Sequence, residues 1–388
     1  MIIQELLQEI DKQVPFSTSE SWDNVGLLIG TEKSEVNGVL TTLDCTLEVV
    51  DEAIQNNINT IIAHHPLIFK GVKNITDKSY GRIIRKLIQN DINLIALHTN
   101  LDVHPKGVSY MIGQQIGLDN MKVLEEQQES YYKVQIFLPD QDVETMKAAF
   151  NEHHLAQTEE YSEVFFQSQG KGQFKPSASA NPHLGQADKT ETVYETKLEL
   201  MVDEKDLALA KELIIQTHPY EEPVYDFIKM SRTSSVGLGI IGELNETQSV
   251  NEFVQNYKEK LAIPAVRFIG DQSAQIKRIA IVGGAGIEYA NLAKAQQADL
   301  FITGDVKHHE ALDALMDGIN ILDVNHYSEY VMKEGLKSLL EEWTNGKIKV
   351  LTSSINTDTL SIYVKNCRVN SAVFLVHYFY RFRLFNFR

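Results

Sequence analysis

Residues 60–66 are Thr60-Ile61-Ile62-Ala63-His64-His65-Pro66, an apolar run that ends in two adjacent histidines. A short apolar run bounded by a turn residue is typical of a buried strand. A helical pattern at residues 80–90 then leads to a second apolar run, residues 94–97. Upstream, an apolar run at residues 39–43 and a helical pattern at residues 47–55 complete a βαβαβ order. The sequence therefore predicts an α/β fold with a parallel sheet.

The same order of elements returns near the other end of the chain. Ile279 begins an apolar run 240 positions after Val39, and Asp299 begins another 240 positions after Asn59. A helical stretch lies between these two runs, and a third apolar run follows at residues 319–322. Because two strands and a helix keep the same spacing, we interpret the pattern as an internal repeat. It predicts two similar βαβαβ-containing halves of one domain.

The middle of the chain has a different pattern. Strands are predicted at residues 131–138 and 194–202, and helices at residues 143–153 and 207–217. Residues 167–189, rich in glycine, serine, proline and glutamine, predict a long flexible loop. We expect a small α+β domain inserted between the halves. The predicted division is a first half at 1–126, an insert at 127–231, a second half at 232–358 and an atypical tail at 359–388, which has no acidic residue.

Composition excludes several functional classes. The chain has 388 residues, enough for two or three domains, and a formal net charge of -17 that argues against binding duplex nucleic acid. Its first 360 or so residues contain no apolar stretch near the roughly 20 residues of a membrane-spanning helix. The two cysteines, Cys45 and Cys367, exclude a disulfide scaffold. A cytoplasmic protein that does not enter the membrane is expected.

Five side chains at three predicted strand ends have the chemistry of metal ligands. His64 and His65 end the first apolar run, Asp102 follows the second, and His326 and Glu329 follow the last run of the second half. Ligands of such sheets gather beyond the carboxyl ends of the strands, so these side chains are expected to converge. Imidazole nitrogen and carboxylate oxygen suit zinc, manganese and ferrous iron. We predict a site for two divalent ions, with zinc as the first choice.

Each motif also has a simpler interpretation. A lone His-His pair is more often structural than a ligand. His98, at the end of the strand that leads to Asp102, is expected to line the site or orient a ligand, while the pair at residues 308–309 is equally compatible with packing. The glycine-rich residues 283–286 could hold a phosphate, although a tight turn is the default interpretation. Residues 22–24 line a pocket or form a turn.

At these residues the chain resembles the Nif-three-like family, also called the GTP cyclohydrolase type-two homologues. The resemblance implies a two-metal centre with ligands at His64, His65, Asp102, His326 and Glu329. It further implies a PII-like or CutA-like insert and a toroidal homohexamer whose metal sites face an internal cavity. The family pattern ends at Asp358. The motifs that carry the resemblance are Ser21-Trp22-Asp23-Asn24-Val25-Gly26-Leu27, Ile62-Ala63-His64-His65-Pro66-Leu67, His98-Thr99-Asn100-Leu101-Asp102, Thr303-Gly304-Asp305 and His326-Tyr327-Ser328-Glu329.

The expected function is metal-dependent hydrolysis of a nucleotide or another small phosphorylated substrate, with GTP ring-opening as the activity that the family name implies. Two ions would lower the pKa of a bridging water, and His98 is the candidate for proton transfer. Phosphoester hydrolysis suits the same centre. A non-enzymatic alternative is a metal-binding regulatory or chaperone protein whose insert senses a small molecule or a partner.

Overall fold

The structure, a computed structural model, describes residues 1–158 and 160–362, so the predicted tail lies outside the described residues from residue 363 onward. The helices are α1 (Ile3–Gln13), α2 (Leu47–Gln55), α3 (Tyr80–Gln89), α4 (Thr99–Asp102), α5 (Val108–Ile116), α6 (Val143–Glu152), α7 (Leu207–Thr217), α8 (Val250–Lys260), α9 (Ala290–Ala295), α10 (His308–Met316) and α11 (Met332–Trp343). The strands are β1 (Gly26–Ile29), β2 (Val39–Thr42), β3 (Thr60–Ala63), β4 (Asn93–Ala96), β5 (Asp119–Pro139), β6 (Phe166–Phe174), β7 (Glu191–Asp203), β8 (Val224–Ser249), β9 (Arg267–Ile269), β10 (Gln275–Ile281), β11 (Leu300–Thr303), β12 (Ile321–Asp323) and β13 (Val350–Thr352). The predicted mixed α/β fold is confirmed.

The two halves build their sheets in the same way. In the first sheet, β2, β3 and β4 are parallel neighbours and β1 pairs antiparallel with the outer edge of β4. In the second sheet, β10, β11 and β12 are parallel neighbours and β9 pairs antiparallel with the outer edge of β12. The predicted repeat is therefore present in the sheet topology. Both parallel triplets direct their carboxyl ends toward loops that carry histidine or acidic residues.

Burial explains why the central strands are so apolar. All four residues of β3 and all four of β4 are buried, as expected for parallel strands covered on both faces. The largest apolar cluster includes residues from both sheets, such as Ile62, Ile95, Ile281 and Ile302. The halves therefore share one core. The last strand, β13, also joins them, because it leaves the second half and pairs in parallel with β2 of the first sheet.

The insert has its own core but shares a sheet with the second half. Its apolar cluster contains buried residues from the ends of β5 and β7 and from α6 and α7, such as Val134 and Leu213. However, β5 and β8 run unbroken from the insert into the second half, within one eight-stranded sheet. Their pairing has a register irregularity between Glu126 and Gln128. The predicted boundaries at 126/127 and 231/232 fall inside these strands. The division into domains stays a prediction.

The prediction of a flexible loop at residues 167–189 is wrong for its first part. Residues 167–174 belong to β6, which pairs antiparallel with β7 at the edge of the sheet. Most of this edge strand is exposed, so it needs few apolar side chains and its composition resembles that of a loop.

Among the described residues, no helix has the length and apolar character needed to cross a membrane.

Candidate metal centre

The five predicted ligands converge at the carboxyl ends of strands from both halves. His64 and His65 follow β3 directly, and Asp102 is the last residue of the short helix α4, which begins shortly after β4. His326 and Glu329 lie in a 3-10 helical segment, His326–Val331, that follows β12. Each comes from the end of a buried strand, so the sheets fix where these side chains start. Their role as ligands stays a prediction, which we take up as a proposal below.

His64 has the clearest signature of a metal ligand. Its residue is 0% exposed, and its Nδ1 donates to the carbonyl of Leu97 at 2.8 Å. That bond places the proton on Nδ1 and leaves the lone pair on Nε2. Nε2 is buried and has no hydrogen-bond partner within the described chain, although Asp102 Oδ1 lies 3.5 Å away. Burial lowers the pKa of His64 to about 3, so the ring is neutral and able to bind a cation.

His65 is oriented by a carboxylate that the sequence did not reveal. Its Nδ1 donates to Asp44 Oδ1 at 2.7 Å, and its Nε2 lies 3.2 Å from Glu329 Oε2. Burial opposes protonation, but the hydrogen bonds to Asp44 and Glu329 outweigh it and raise the pKa of His65 to about 10. Asp44 itself accepts a bond from the Thr357 hydroxyl at 2.6 Å, so its position is fixed on two sides. A carboxylate on the far nitrogen of an imidazole is the usual support of a metal ligand.

His326 repeats this arrangement from the second half. Its Nδ1 donates to Asp305 Oδ2 at 2.7 Å, and its Nε2 lies 3.3 Å from Glu329 Oε2. The hydrogen bond to Glu329 is the main cause that raises the pKa of His326 to about 9. Asp305 stands 240 positions after His65, so the two occupy equivalent places in the repeat. At this position the first half supplies a ligand candidate, His65, and the second half supplies the support of His326, Asp305.

Two acidic side chains lie close together in the interior of the site. The Glu329 side chain is 4% exposed and that of Asp102 is 19% exposed. Burial and the nearby charge of Glu329 raise the pKa of Asp102 well above its usual range. Burial opposes ionisation of Glu329 too, but hydrogen bonds from His326 and His65 lower its pKa. Two acidic groups at such close range favour positive charge between them, which a divalent cation would supply.

His98 lies beside His64 and His65 in the cluster. Its Nδ1 donates to Asp23 Oδ1 at 2.9 Å, and Asp23 Oδ2 accepts from the Thr99 hydroxyl at 2.6 Å. Burial opposes ionisation of Asp23, but these bonds lower its pKa, so the carboxylate is charged and holds the ring in place. The His98 ring centroid lies 5.2 Å from that of His64. In all four histidines the Nδ1 atom is thus bound to oxygen, and the Nε2 atoms are left to face the centre.

The candidate ligand atoms form three overlapping groups, each with its atoms within 4.8 Å of one another. They are His64, His65 and His98; His65, His326 and Glu329; and His64, Asp102 and Glu329. Glu329 is common to the last two groups. The orphaned nitrogen of His64, the converging imidazole nitrogens of the other histidines and the paired carboxylates all fit a divalent cation. We conclude that the residues present are suited to hold one or two such ions.

The glycine-rich residues 283–286 serve the site by leaving room for it. Gly284 has a φ of 60°, and a Cβ there would fall 2.7 Å from Glu329 Oε1. A side chain at this position would therefore displace the carboxylate. The tight-turn interpretation fits this arrangement better than a phosphate cradle does.

His308 and His309 are exposed in α10 and pack against each other, and they belong to none of the three groups.

Sequence reasoning missed Asp44, named Asp23 only within a segment that lines a pocket or forms a turn, and named Asp305 only within a motif of the family resemblance. Asp44 comes two residues after β2, at the same kind of strand end as His65. That position was the available signal. No spacing rule separates such a carboxylate from an ordinary exposed aspartate, because its partner is distant in sequence.

The fold and these motifs can be compared with those of known proteins. Residues 1–359 match the family described as Duf34/NIF3 (NGG1p interacting factor 3). The chain belongs to the Duf34/NIF3 family. The predicted resemblance is confirmed, since a Staphylococcus epidermidis protein named "GTP cyclohydrolase 1 type 2 homolog" is 54% identical over 361 residues, which cover 92% of this chain and 99% of that protein.

Solved structures of Duf34/NIF3 proteins agree with the architecture. A crystal structure of a Staphylococcus aureus protein is 51% identical, covers 94% of this chain and 99% of its own, and superposes with a TM-score of 0.83. A Bacillus cereus protein related to NIF3 is 35% identical with the same coverage and a TM-score of 0.71. A CutA structure from Archaeoglobus fulgidus covers 34% of this chain with a TM-score of 0.21, which is too low to support the predicted CutA-like insert. That likeness stays a prediction.

Proposed function

We propose that this protein binds two divalent metal ions and acts as a metal-dependent hydrolase on a nucleotide or another small phosphorylated substrate. The ligands are His64, His65, Asp102, His326 and Glu329, and zinc is the first choice of metal, with manganese or iron as alternatives. The observation that carries the proposal is the buried Nε2 of His64, which lacks a partner in the described chain and lies beside carboxylates. A buried polar atom left unpaired costs about 1–3 kcal/mol, so the site is built to receive something else.

Bound divalent ions would supply Lewis acidity, which activates water and polarises the bond under attack. The chain's own residues then have distinct tasks. Asp44 and Asp305 hold the rings of His65 and His326 so that each Nε2 points inward. Glu329 and Asp102 would hold the ions and balance their positive charge. The protein thus provides a rigid cluster rather than a flexible loop, which favours positioning over rearrangement.

His98 is the group that we assign to proton transfer. Its Nδ1 is held by the buried Asp23 carboxylate, which fixes the ring and leaves Nε2 directed at the cluster. A histidine supported in this way can donate or accept a proton at Nε2 without moving. Its ring lies beside those of His64 and His65, within reach of a substrate held at the cluster.

The name of the relatives supports a nucleotide as substrate, since they are called GTP cyclohydrolase 1 type 2 homologues. The homohexamer and the cytoplasmic location predicted above belong to the same proposal. Light scattering of the purified protein would test the hexamer. A stable hexamer of this 43.9 kDa chain is expected, and a monomer would contradict it.

The test of the proposed function combines metal analysis with a substrate screen. Protein prepared without chelators is analysed for metals, and then supplied with zinc, manganese or iron and a panel of nucleotides and phosphoesters. We expect turnover that His65→Ala and Glu329→Ala each abolish. The matched control is His309→Ala, an exposed histidine outside the cluster, which should retain turnover. Turnover that survives in both site variants, or protein that binds no divalent ion, would overturn the proposal.

A further inference from the structure

Two large aromatic side chains are exposed beside the candidate centre. Trp22 is 56% exposed and Phe69 is 41% exposed, and their ring centroids lie 5.7 Å apart. Both also contact His98, with centroid distances of 6.2 Å and 6.4 Å. Since His98 in turn contacts His64 and His65, the pair lies one ring away from the predicted ligands. Exposed aromatics grouped next to a polar cluster are characteristic of a surface that binds a ligand.

The backbone on both sides of this pair is anchored. Trp22 precedes Asp23, whose side chain is 0% exposed and bound to His98 and Thr99. Phe69 follows Ile68, whose carbonyl accepts a hydrogen bond from the Asn24 side chain. The two aromatic residues are therefore held from neighbouring positions, although their rings face solvent. A fixed, exposed ring costs little entropy when a flat ligand stacks on it.

The segment that carries Phe69 is also positively charged. Residues 66–79 contain three lysines, Lys70, Lys73 and Lys78, but only one acidic residue, Asp77, in a chain of net charge -17. All three lysines are exposed, and the ion pairs within the part of the chain that the structure describes involve other lysines. Local positive charge on an acidic protein favours a ligand that carries negative charge.

We infer that Trp22 and Phe69 form a stacking platform for the base of a nucleotide, with the lysines of residues 66–79 and the candidate centre receiving its phosphate. The ligand class follows from the combination, because a planar aromatic ring joined to an anionic group matches exposed rings next to cationic groups. This inference rests on the proposed function and makes it more specific. It assigns base recognition to a surface outside the predicted ligand cluster.

The test separates the base from the phosphate. Trp343→Phe leaves Trp22 as the sole tryptophan of the chain, because the sequence contains two. The metal-loaded variant is titrated with guanosine 5′-monophosphate and, separately, with ribose 5-phosphate, which lacks the base. We expect saturable quenching of Trp22 fluorescence by the nucleotide and none by the sugar phosphate. Equal responses to both, or no binding of the nucleotide, would overturn the inference.

Calorimetry on the otherwise unchanged chain measures the size of the effect. Trp22→Ala should weaken binding of guanosine 5′-monophosphate roughly 10- to 100-fold, while Trp22→Phe should weaken it less and binding of ribose 5-phosphate should stay the same. The matched control is Tyr161→Ala, which removes a ring that is 73% exposed in the insert and should change neither affinity. A combined Lys70→Ala and Lys73→Ala variant should weaken both ligands alike.

These outcomes distinguish the platform from the proposed hydrolase. If nucleotides are hydrolysed but Trp22→Ala leaves their affinity unchanged, the hydrolase stands and the platform falls. If no hydrolysis occurs but guanosine 5′-monophosphate binds with the expected dependence on Trp22, the platform stands and the hydrolase falls. An altered molecular mass of Trp22→Ala by light scattering, with unchanged nucleotide binding, would show instead that the patch joins copies of the chain.

Discussion

Two buried histidines, one in each part of the molecule, show how the proposed functional site differs from a structural one. His218, in the insert, is 7% exposed, and both of its ring nitrogens are paired, with Nε2 donating to the Phe137 carbonyl and Nδ1 accepting from the Tyr220 amide. His64 is 0% exposed, and its Nε2 is unpaired in the described chain. In the sequence each directly follows a regular element, His64 after β3 and His218 after α7. The two histidines differ at Nε2, because folding alone gives no reason to bury an unpaired nitrogen such as that of His64.

Removing each of the two rings in turn tests this comparison most directly. His64→Ala should lower metal affinity and turnover by more than about 100-fold, since loss of even an outer partner of a metal ligand costs 10- to 100-fold. His218→Ala should leave both properties unchanged and destabilise only the insert. Metal content and turnover of the two purified variants provide the measurement. Equal metal content in the two variants would mean that the unpaired nitrogen does not mark a ligand.

Metal removal should affect the two regions differently. A ligand that binds only the folded state stabilises it by about 2.7 kcal/mol at a hundredfold excess over its Kd, which corresponds to several degrees in Tm. Hydrogen exchange of the chelated protein should therefore increase around His64 and Glu329, where buried charge loses its counterion. Exchange in β7 (Glu191–Asp203), which lies in the insert, should stay the same and serves as the internal control. Uniform changes in both regions, or none, would contradict a localised centre.

The supports of the histidines sharpen the comparison further. Asp44→Ala should weaken metal binding by about 10- to 100-fold, because His65 loses the carboxylate that fixes its ring. Asp44→Asn keeps an acceptor oxygen and should lose less. Asp271→Ala is the control, since among the described residues that exposed carboxylate bonds only to Ser273 in its own turn. Competition with a chromophoric chelator measures the affinities, and an Asp44→Ala protein that binds as tightly as the wild type would refute the role of Asp44.

Local signals explain what the sequence could predict of the fold. Strand β3 (Thr60–Ala63) and helices α2 (Leu47–Gln55) and α7 (Leu207–Thr217) begin and end at the predicted residues. Thr46 caps α2 by accepting from the Val49 amide, which marks its start in the sequence. Strand β6 was not predicted, because an exposed edge strand has no apolar alternation. The pairing of β13 with β2 was not predicted either, since it joins residues more than 300 positions apart.

The candidate site shows the same limit at the level of side chains. Its five proposed ligands could be selected because imidazoles and carboxylates at strand ends are expected to meet, and the structure brings them together. Asp23 lies before β1 and could not be selected in this way, and Asp44 follows β2 but could not be told from an ordinary aspartate there. Each acts through contact with a histidine that is distant in sequence, at 75 and 21 positions. Sequence pattern therefore predicts where a cluster forms, while the supporting contacts depend on how the elements pack.

The smallest expected effect concerns protonation of His218. Burial lowers its pKa in the folded protein despite the nearby Glu195 and Asp142 carboxylates, whereas the unfolded chain takes up a proton near the ordinary value of 6.5. The unfolded state then binds more protons at low pH, so the stability of the insert is complete above about pH 6.5 and decreases as the pH falls below it. The slope is at most about 1.4 kcal/mol per pH unit.

In His218→Gln, which lacks this group, the decrease in stability between pH 7.5 and 5.5 should be smaller, as measured by urea unfolding with hydrogen exchange in β7. Parallel curves for variant and wild type would show that His218 is not held neutral by the fold, and full pairing of its nitrogens would then no longer explain why it differs from His64.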